Sequence, residues 1–117
     1  MGIITFDRHA PDSPKPEADR PGKVISGNPT NITWNFTEHE DGRLVSGMWE
    51  SEVGKWEASF PEWEFCHIIS GEVIVTVGDK ATTYRAGDAF VMEPGLVCTW
   101  EVTQKLLKHY VILAPKG

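Results

Sequence analysis

Short runs of β-forming residues, each closed by a glycine or proline turn, fill most of this 117-residue chain and constrain its fold more than any other feature. The clearest run begins at Asn31, where Ile32, Trp34 and Phe36 alternate with polar residues, as in a half-buried strand. No stretch has a convincing helical period. Strands this short and this closely spaced indicate an all-β barrel or jelly roll rather than alternating strands and helices.

The remaining runs follow one another at short intervals. They are separated by turn signals such as Ser70-Gly71, Gly78-Asp79 and Pro94-Gly95. The predicted strands cover residues 43–51, 56–60, 63–70, 72–77, 80–84, 89–92, 97–102 and 108–113.

Residues 1–30 differ from the rest, since they contain five of the eight prolines and few apolar side chains. This composition favours an extended, Pro-rich N-terminal arm that forms neither helix nor sheet ladder and lies across the domain or a partner subunit. The length leaves room for one ordinary core. We therefore expect an arm over residues 1–30 and one β domain over residues 31–117.

Charge and cysteine content limit the partners and the compartment. Eleven basic and 17 acidic residues give a net charge of −6, which argues against nucleic acid and anionic membranes as partners. No apolar stretch has the length of a signal peptide or a membrane span, and two cysteines are too few for a disulfide framework. We expect a soluble cytoplasmic protein with reduced thiols and, because exposed strands need covering, a homodimer.

Two stretches resemble the two motifs of the cupin family. In residues 64–73, Glu64 precedes Gly71 by seven positions, and residues 87–95 open on Gly-Asp and end in a Pro-Gly turn. Residues 47–51, 61–65 and 98–101 are similar to the small cupins grouped with ureidoglycine aminohydrolase and the ethanolamine-utilisation Q protein. The resemblance implies a single-domain cupin β-barrel, a double-stranded β-helix or jelly roll.

Most of the metal ligands that the resemblance implies are missing. The slots for the paired histidines hold Ala58 and Phe60, and the slot for the third histidine holds Cys98, so that only Glu64 remains. We therefore expect no metal cofactor. A divalent metal held by Glu64 and Cys98, with Cys66 beside them, stays open as the alternative, because metals in proteins take at least three side-chain ligands.

Glu64 is the best candidate for a functional residue. Strand alternation places Glu64 and Cys66 inside the barrel and His67 on the outer face. A buried carboxylate must be paired or neutralised, and the resemblance implies Lys108 and Tyr110 as its partners. Glu64 then serves either the architecture or the transfer of a proton.

Two functions are compatible with these residues. One is metal-independent binding of a small polar metabolite in the barrel; the other is a metal-dependent or Glu64-based enzyme of the aminohydrolase or isomerase type, in nitrogen or carbohydrate metabolism. A structural subunit without a ligand is a third. Trp49 and Trp100 are expected at the barrel mouth, where they pack or stack on a ligand. The predicted pocket consists of Trp49, Phe60, Glu64, Cys66, Cys98, Trp100, Lys108 and Tyr110.

Overall fold

The computed structural model describes residues 2–116, which form nine strands of one sheet and a short 3-10 turn at Glu40–Gly42. The chain is therefore all-β, as the turn spacing predicts. The strands are β1 (Glu17–Asp19), β2 (Lys23–Gly27), β3 (Asn31–His39), β4 (Leu44–Ser51), β5 (Gly54–Phe60), β6 (Trp63–Val77), β7 (Lys80–Arg85), β8 (Ala89–Met92) and β9 (Leu96–Leu113).

Two long antiparallel strands, β6 and β9, run through the whole sheet. The other edge of β6 pairs first with β8 and then with β7, and the other edge of β9 pairs first with β5 and then with β4. The register between β6 and β9 shifts three times between Ile68 and Val73. Such bulges bend the paired strands and increase their twist, which curls the sheet into the shape of a barrel.

The predicted turn at Ser70-Gly71 is wrong, because this dipeptide lies inside β6. Gly71 has φ +89, and a Cβ at this position would collide with the backbone carbonyl of Lys105. Bulges and turns both use glycine because both require a positive φ. A Ser-Gly dipeptide is therefore compatible with a bulge inside a strand or with a turn between two strands. The predicted strands 63–70 and 72–77 are therefore one strand, and 97–102 and 108–113 are both parts of β9.

The expectation that residues 1–30 form no sheet ladder is also wrong. Strand β1 pairs with β3 and β2 pairs with β5, at the two opposite ends of the strand order. Polar residues and neighbouring prolines are tolerated there because an edge strand is paired on one side only. Residues 20–22 join the two strands, so this linker crosses from one edge of the sheet to the other.

The core lies inside the barrel and follows the predicted alternation along β6. Glu64, Cys66 and Ile68 are buried, whereas Phe65, His67 and Ile69 are half-buried on the outer face. The largest fully buried apolar side chains include Trp100, Ile68, Leu106, Val73 and Val102. In the described part of the chain, no helix has the length and apolar character needed to cross a membrane.

Candidate functional site

A cavity of about 590 Å³ lies in the barrel beneath the β1–β2 linker. Cys66 and Cys98, which the sequence places in the pocket, do not line it: Cys66 is fully buried, and Cys98 packs in the core opposite Ala58 of β5. Six of the eight predicted pocket residues do line the cavity, namely Trp49, Phe60, Glu64, Trp100, Lys108 and Tyr110.

The polar floor of the cavity is a buried ion pair. Lys108 Nζ donates to Glu64 Oε2 at 2.7 Å and to Cys66 Sγ at 3.4 Å, and Cys66 Sγ donates to the same Oε2 at 3.2 Å. Glu64 is 7% exposed and Lys108 is 4% exposed. Both carboxylate contacts fall on Oε2, and Oε1 of Glu64 takes part in neither.

Aromatic rings hold the ammonium group of Lys108 in place. Its Nζ lies 4.8 Å from the ring centroid of Trp49 and 4.7 Å from that of Trp100. Burial opposes the charge, but Cys66 and Glu64 outweigh burial and raise the pKa of Lys108 above its usual value. Lys108 is therefore a fixed positive charge at neutral pH.

Tyr110 bonds to a different residue from the one predicted. Its hydroxyl donates to Asn35 Oδ1 at 2.8 Å, whereas Lys108 takes the Glu64 carboxylate. Burial, followed by the Glu64 charge, raises the pKa of Tyr110 to about 12. Tyr110 thus presents a neutral hydroxyl at the cavity wall.

The residues present do not fit the usual metal centre of a cupin. Burial raises the pKa of the Cys66 thiol to about 12 and also raises the pKa of Cys98, whereas metals bind thiolates. No three His, Cys, Asp or Glu side chains within residues 2–116 are grouped to hold a metal, so the Glu64, Cys66, Cys98 cluster is not assembled. The Glu64 carboxylate is already paired with the ammonium group of Lys108.

The cavity walls are aromatic. Trp49 packs edge-on against Trp100 with ring centroids 5.9 Å apart, and Trp56 and Phe60 pack around the same indole. Trp100 is 1% exposed, so its expected position at the barrel mouth is wrong: its indole belongs to the core and forms the back wall. Trp49 is half-buried.

In β3 the polar residues face the cavity and the apolar residues face away from it, the reverse of the usual arrangement. Asn31, Thr33 and Asn35 line the cavity, while Trp34 contacts Arg8 and Phe36 stacks on Phe6 of the N-terminal segment. The period of two was visible in the sequence, but it does not say which set faces inward. Asn31 Oδ1 is buried without a hydrogen-bond partner among residues 2–116.

The outer face of the sheet carries a histidine pair. His67 faces outward as predicted and is the direct cross-strand neighbour of His109, with the two Nδ1 atoms 3.5 Å apart. The ring of Phe6 packs edge-on against His109 with a centroid distance of 5.8 Å. Sequence spacing missed this pair because β6 and β9 bring together residues 42 positions apart.

The jelly-roll barrel with its interior cavity has the fold of the cupins. The model of the EutQ-like cupin domain matches residues 38–110, which is more than half of the chain, and this protein therefore belongs to that family. The family and the fold that the two sequence motifs predicted are thus confirmed.

Solved structures of similar proteins support the same fold. EutQ from Clostridium difficile is 19% identical, with a TM-score of 0.66, 76% of this chain covered and 71% of that one. A DUF861-family protein of unknown function from Pseudomonas syringae pv. tomato is 25% identical, with a TM-score of 0.76 over 92% of this chain. This chain covers only 46% of that protein.

A second DUF861-family protein, from Thermotoga maritima, has a higher identity over a shorter alignment. It is 34% identical, with a TM-score of 0.55, 56% of this chain covered and 76% of that one. No curated protein matches the chain.

Proposed function

We propose that this protein binds one small polar metabolite in the barrel cavity, without the three-histidine metal centre of other cupins. The observation that carries the proposal is the pairing of an aromatic-walled cavity of about 590 Å³ with the fixed Glu64–Lys108 pair at its floor. Ligand sites of small barrels combine apolar walls with convergent polar groups, and about half of the residues that line this cavity are polar or charged.

The polar groups are already in position for a ligand. Lys108 is fixed by the Glu64 carboxylate and two indole rings, so little side-chain entropy is lost when a ligand binds. Glu64 Oε1 can accept a hydrogen bond, and the Tyr110 hydroxyl, which donates to Asn35, can accept one as well. A molecule with hydroxyl or amine groups matches these acceptors.

A cavity-filling variant tests the proposal. We would titrate the protein with a defined mixture of amino acids, amines, polyols, sugars and short carboxylic acids, using ligand-observed NMR and the fluorescence of the cavity tryptophans. Ala58 lines the cavity, so Ala58→Leu fills part of it; Ala81→Leu, on the exposed face of β7, is the matched control. We expect binding in the wild type and in Ala81→Leu, and at least tenfold weaker binding in Ala58→Leu.

Two results would overturn the proposal. Binding that Ala58→Leu leaves unchanged would place the ligand outside the cavity. About one metal per chain in elemental analysis of protein purified without chelator or affinity tag, lost in Glu64→Gln, would replace it with a metal-dependent enzyme.

A further inference from the structure

The ionisable side chains that line the cavity carry more negative than positive charge. Two cationic groups, Arg20 and Lys108, line it. Four carboxylates also line it, and four negative charges with two positive ones give a net −2. The chain as a whole has a net charge of −6, so this local field is reinforced by the rest of the molecule. The carboxylates are those of Glu17, Asp19, Glu57 and Glu64.

Three of these carboxylates form an acidic rim at the cavity mouth: Glu17 and Asp19 on β1, and Glu57 on β5. None of the three forms a salt bridge within residues 2–116. Arg20, which lies between β1 and β2, donates instead to Asn28 Oδ1 at 2.8 Å. None of the three carboxylates of the acidic rim is therefore held in an ion pair, although Lys23 is the cross-strand neighbour of Glu57.

The interior of the cavity also favours a positive ligand. Glu64 is more than nine-tenths buried, and its Oε1 remains outside the contacts to Lys108 and Cys66. Trp56 and Phe60 also line the cavity, and aromatic rings attract cations over their faces. The charge of Glu17 extends inward as well, since it contributes to the raised pKa of Tyr110, after burial and Glu64.

We propose that the cavity selects a cationic, amine-bearing small molecule, with its ammonium group between the acidic rim and the aromatic wall and a hydroxyl or N–H group donating to Glu64 Oε1. This inference rests on the proposed function and adds the class of ligand. An anionic ligand would meet the net negative field of the cavity. A neutral ligand would leave the charge of the acidic rim unused.

Two isosteric probes test the charge directly. Choline and 3,3-dimethylbutan-1-ol have nearly the same shape, and only choline is charged. Binding of each is followed by tryptophan fluorescence and ligand-observed NMR at low salt. We expect choline to bind roughly tenfold more tightly than the neutral probe, and this preference to shrink as salt is raised.

Matched charge variants locate the effect. The triple variant Glu17→Gln, Asp19→Asn, Glu57→Gln removes the acidic rim, and the control Glu38→Gln, Asp79→Asn, Glu93→Gln removes three exposed carboxylates that do not line the cavity. Both change the net charge equally. We expect the first to weaken choline binding roughly tenfold and the second to change it less than twofold.

The outcomes separate this inference from the proposed function. Two results would overturn the cationic ligand and leave a metabolite-binding cavity. One is equal binding of both probes. The other is that choline does not bind, whereas neutral or anionic metabolites bind and lose affinity in Ala58→Leu. Equal losses in the two triple variants overturn the role of the acidic rim. Absence of binding by both probes and by the whole metabolite mixture overturns both proposals.

Discussion

Glu64 on β6 and Lys108 on β9 form a diagonal ion pair between two neighbouring strands. The direct partner of Glu64 on β9 is Ile112, and the direct partner of Lys108 on β6 is Ile68. The lysine side chain therefore reaches along the sheet, over Cys66, to the carboxylate at 2.7 Å. The indole rings of Trp49 and Trp100 flank the ammonium group at the end of this lysine side chain.

Removing one member of this pair destabilises the protein more than removing both. Glu64→Leu or Lys108→Met alone leaves an uncompensated charge in the barrel and is expected to cost about 3–5 kcal/mol. The double variant is expected to lose less stability than either single variant. Urea unfolding of all four proteins completes the cycle, and strictly additive losses would show that the two charges do not interact.

Gly71 is expected to be irreplaceable for a reason beyond its backbone angle. Gly71→Ala places a methyl group against the carbonyl of Lys105 and is expected to cost at least about 3 kcal/mol. Gly87 has φ +92 but an open environment, so Gly87→Ala should cost only about 1–2 kcal/mol. Equal costs in denaturant unfolding would mean that the strand bend relaxes around the new methyl.

The two thiols are expected to be unreactive in the folded protein. Disulfide exchange needs a thiolate, and burial raises the pKa of Cys66 to about 12 and raises that of Cys98. A chromogenic disulfide reagent at pH 8 should label neither residue within minutes, and both should react in guanidinium chloride. An added surface thiol, Ser70→Cys, should react at once, and fast labelling of the wild type would contradict the burial of Cys66.

The histidine pair on the outer face makes stability depend on pH. Burial, and next the charge of His67, lower the pKa of His109 below 6.5 in the folded state. The unfolded chain then binds the proton more readily, so this contribution to stability is complete above about pH 6.5 and is lost as the pH falls through the lowered value.

Unfolding experiments between pH 8 and pH 5 check this expectation. The wild type is expected to lose more stability on acidification than His109→Gln. His39 is exposed, and His39→Gln should behave as the wild type does. Parallel pH profiles for the wild type and His109→Gln would show that the pair does not affect stability.

We also predict a homodimer, since β2 ends the sheet with exposed apolar side chains. Val24 is 42% exposed and Ile25 is 55% exposed. Light scattering after size exclusion should give twice the 13.1 kDa of one chain, and Ile25→Lys should shift the mass toward a single copy. Val97→Lys, at another exposed position away from this edge, is the control. A wild-type mass of 13.1 kDa would exclude the dimer.

Local sequence patterns predicted most of the fold. Alternation along β6 correctly placed Glu64 and Cys66 inside and His67 outside, because neighbouring strand residues must face opposite ways. The same rule left β3 undecided, since the side that faces the cavity depends on what covers the other side, and Phe6 and Arg8 supply that cover from far along the chain.

Two of the acidic cavity residues that the sequence missed lie in the segment expected to form no sheet. Glu17 and Asp19 reach the cavity only because three residues of β1 pair with β3. Strands that are exposed along their whole length have no apolar pattern to reveal them. Their position depends on long-range pairing, which neither composition nor spacing encodes.

If the cavity binds the proposed metabolite, the linker of residues 20–22 affects how fast that molecule can leave. It joins the two ends of the sheet across the cavity mouth, and three register pairs hold β1 to β3 on one side of it. A ligand too wide to pass beside the linker has to wait until those pairs open. The residence time of the ligand then depends on the fraying of the three-residue strand β1. Substitutions in β1 that touch no ligand would change the dissociation rate without changing the contacts that the ligand makes in the cavity.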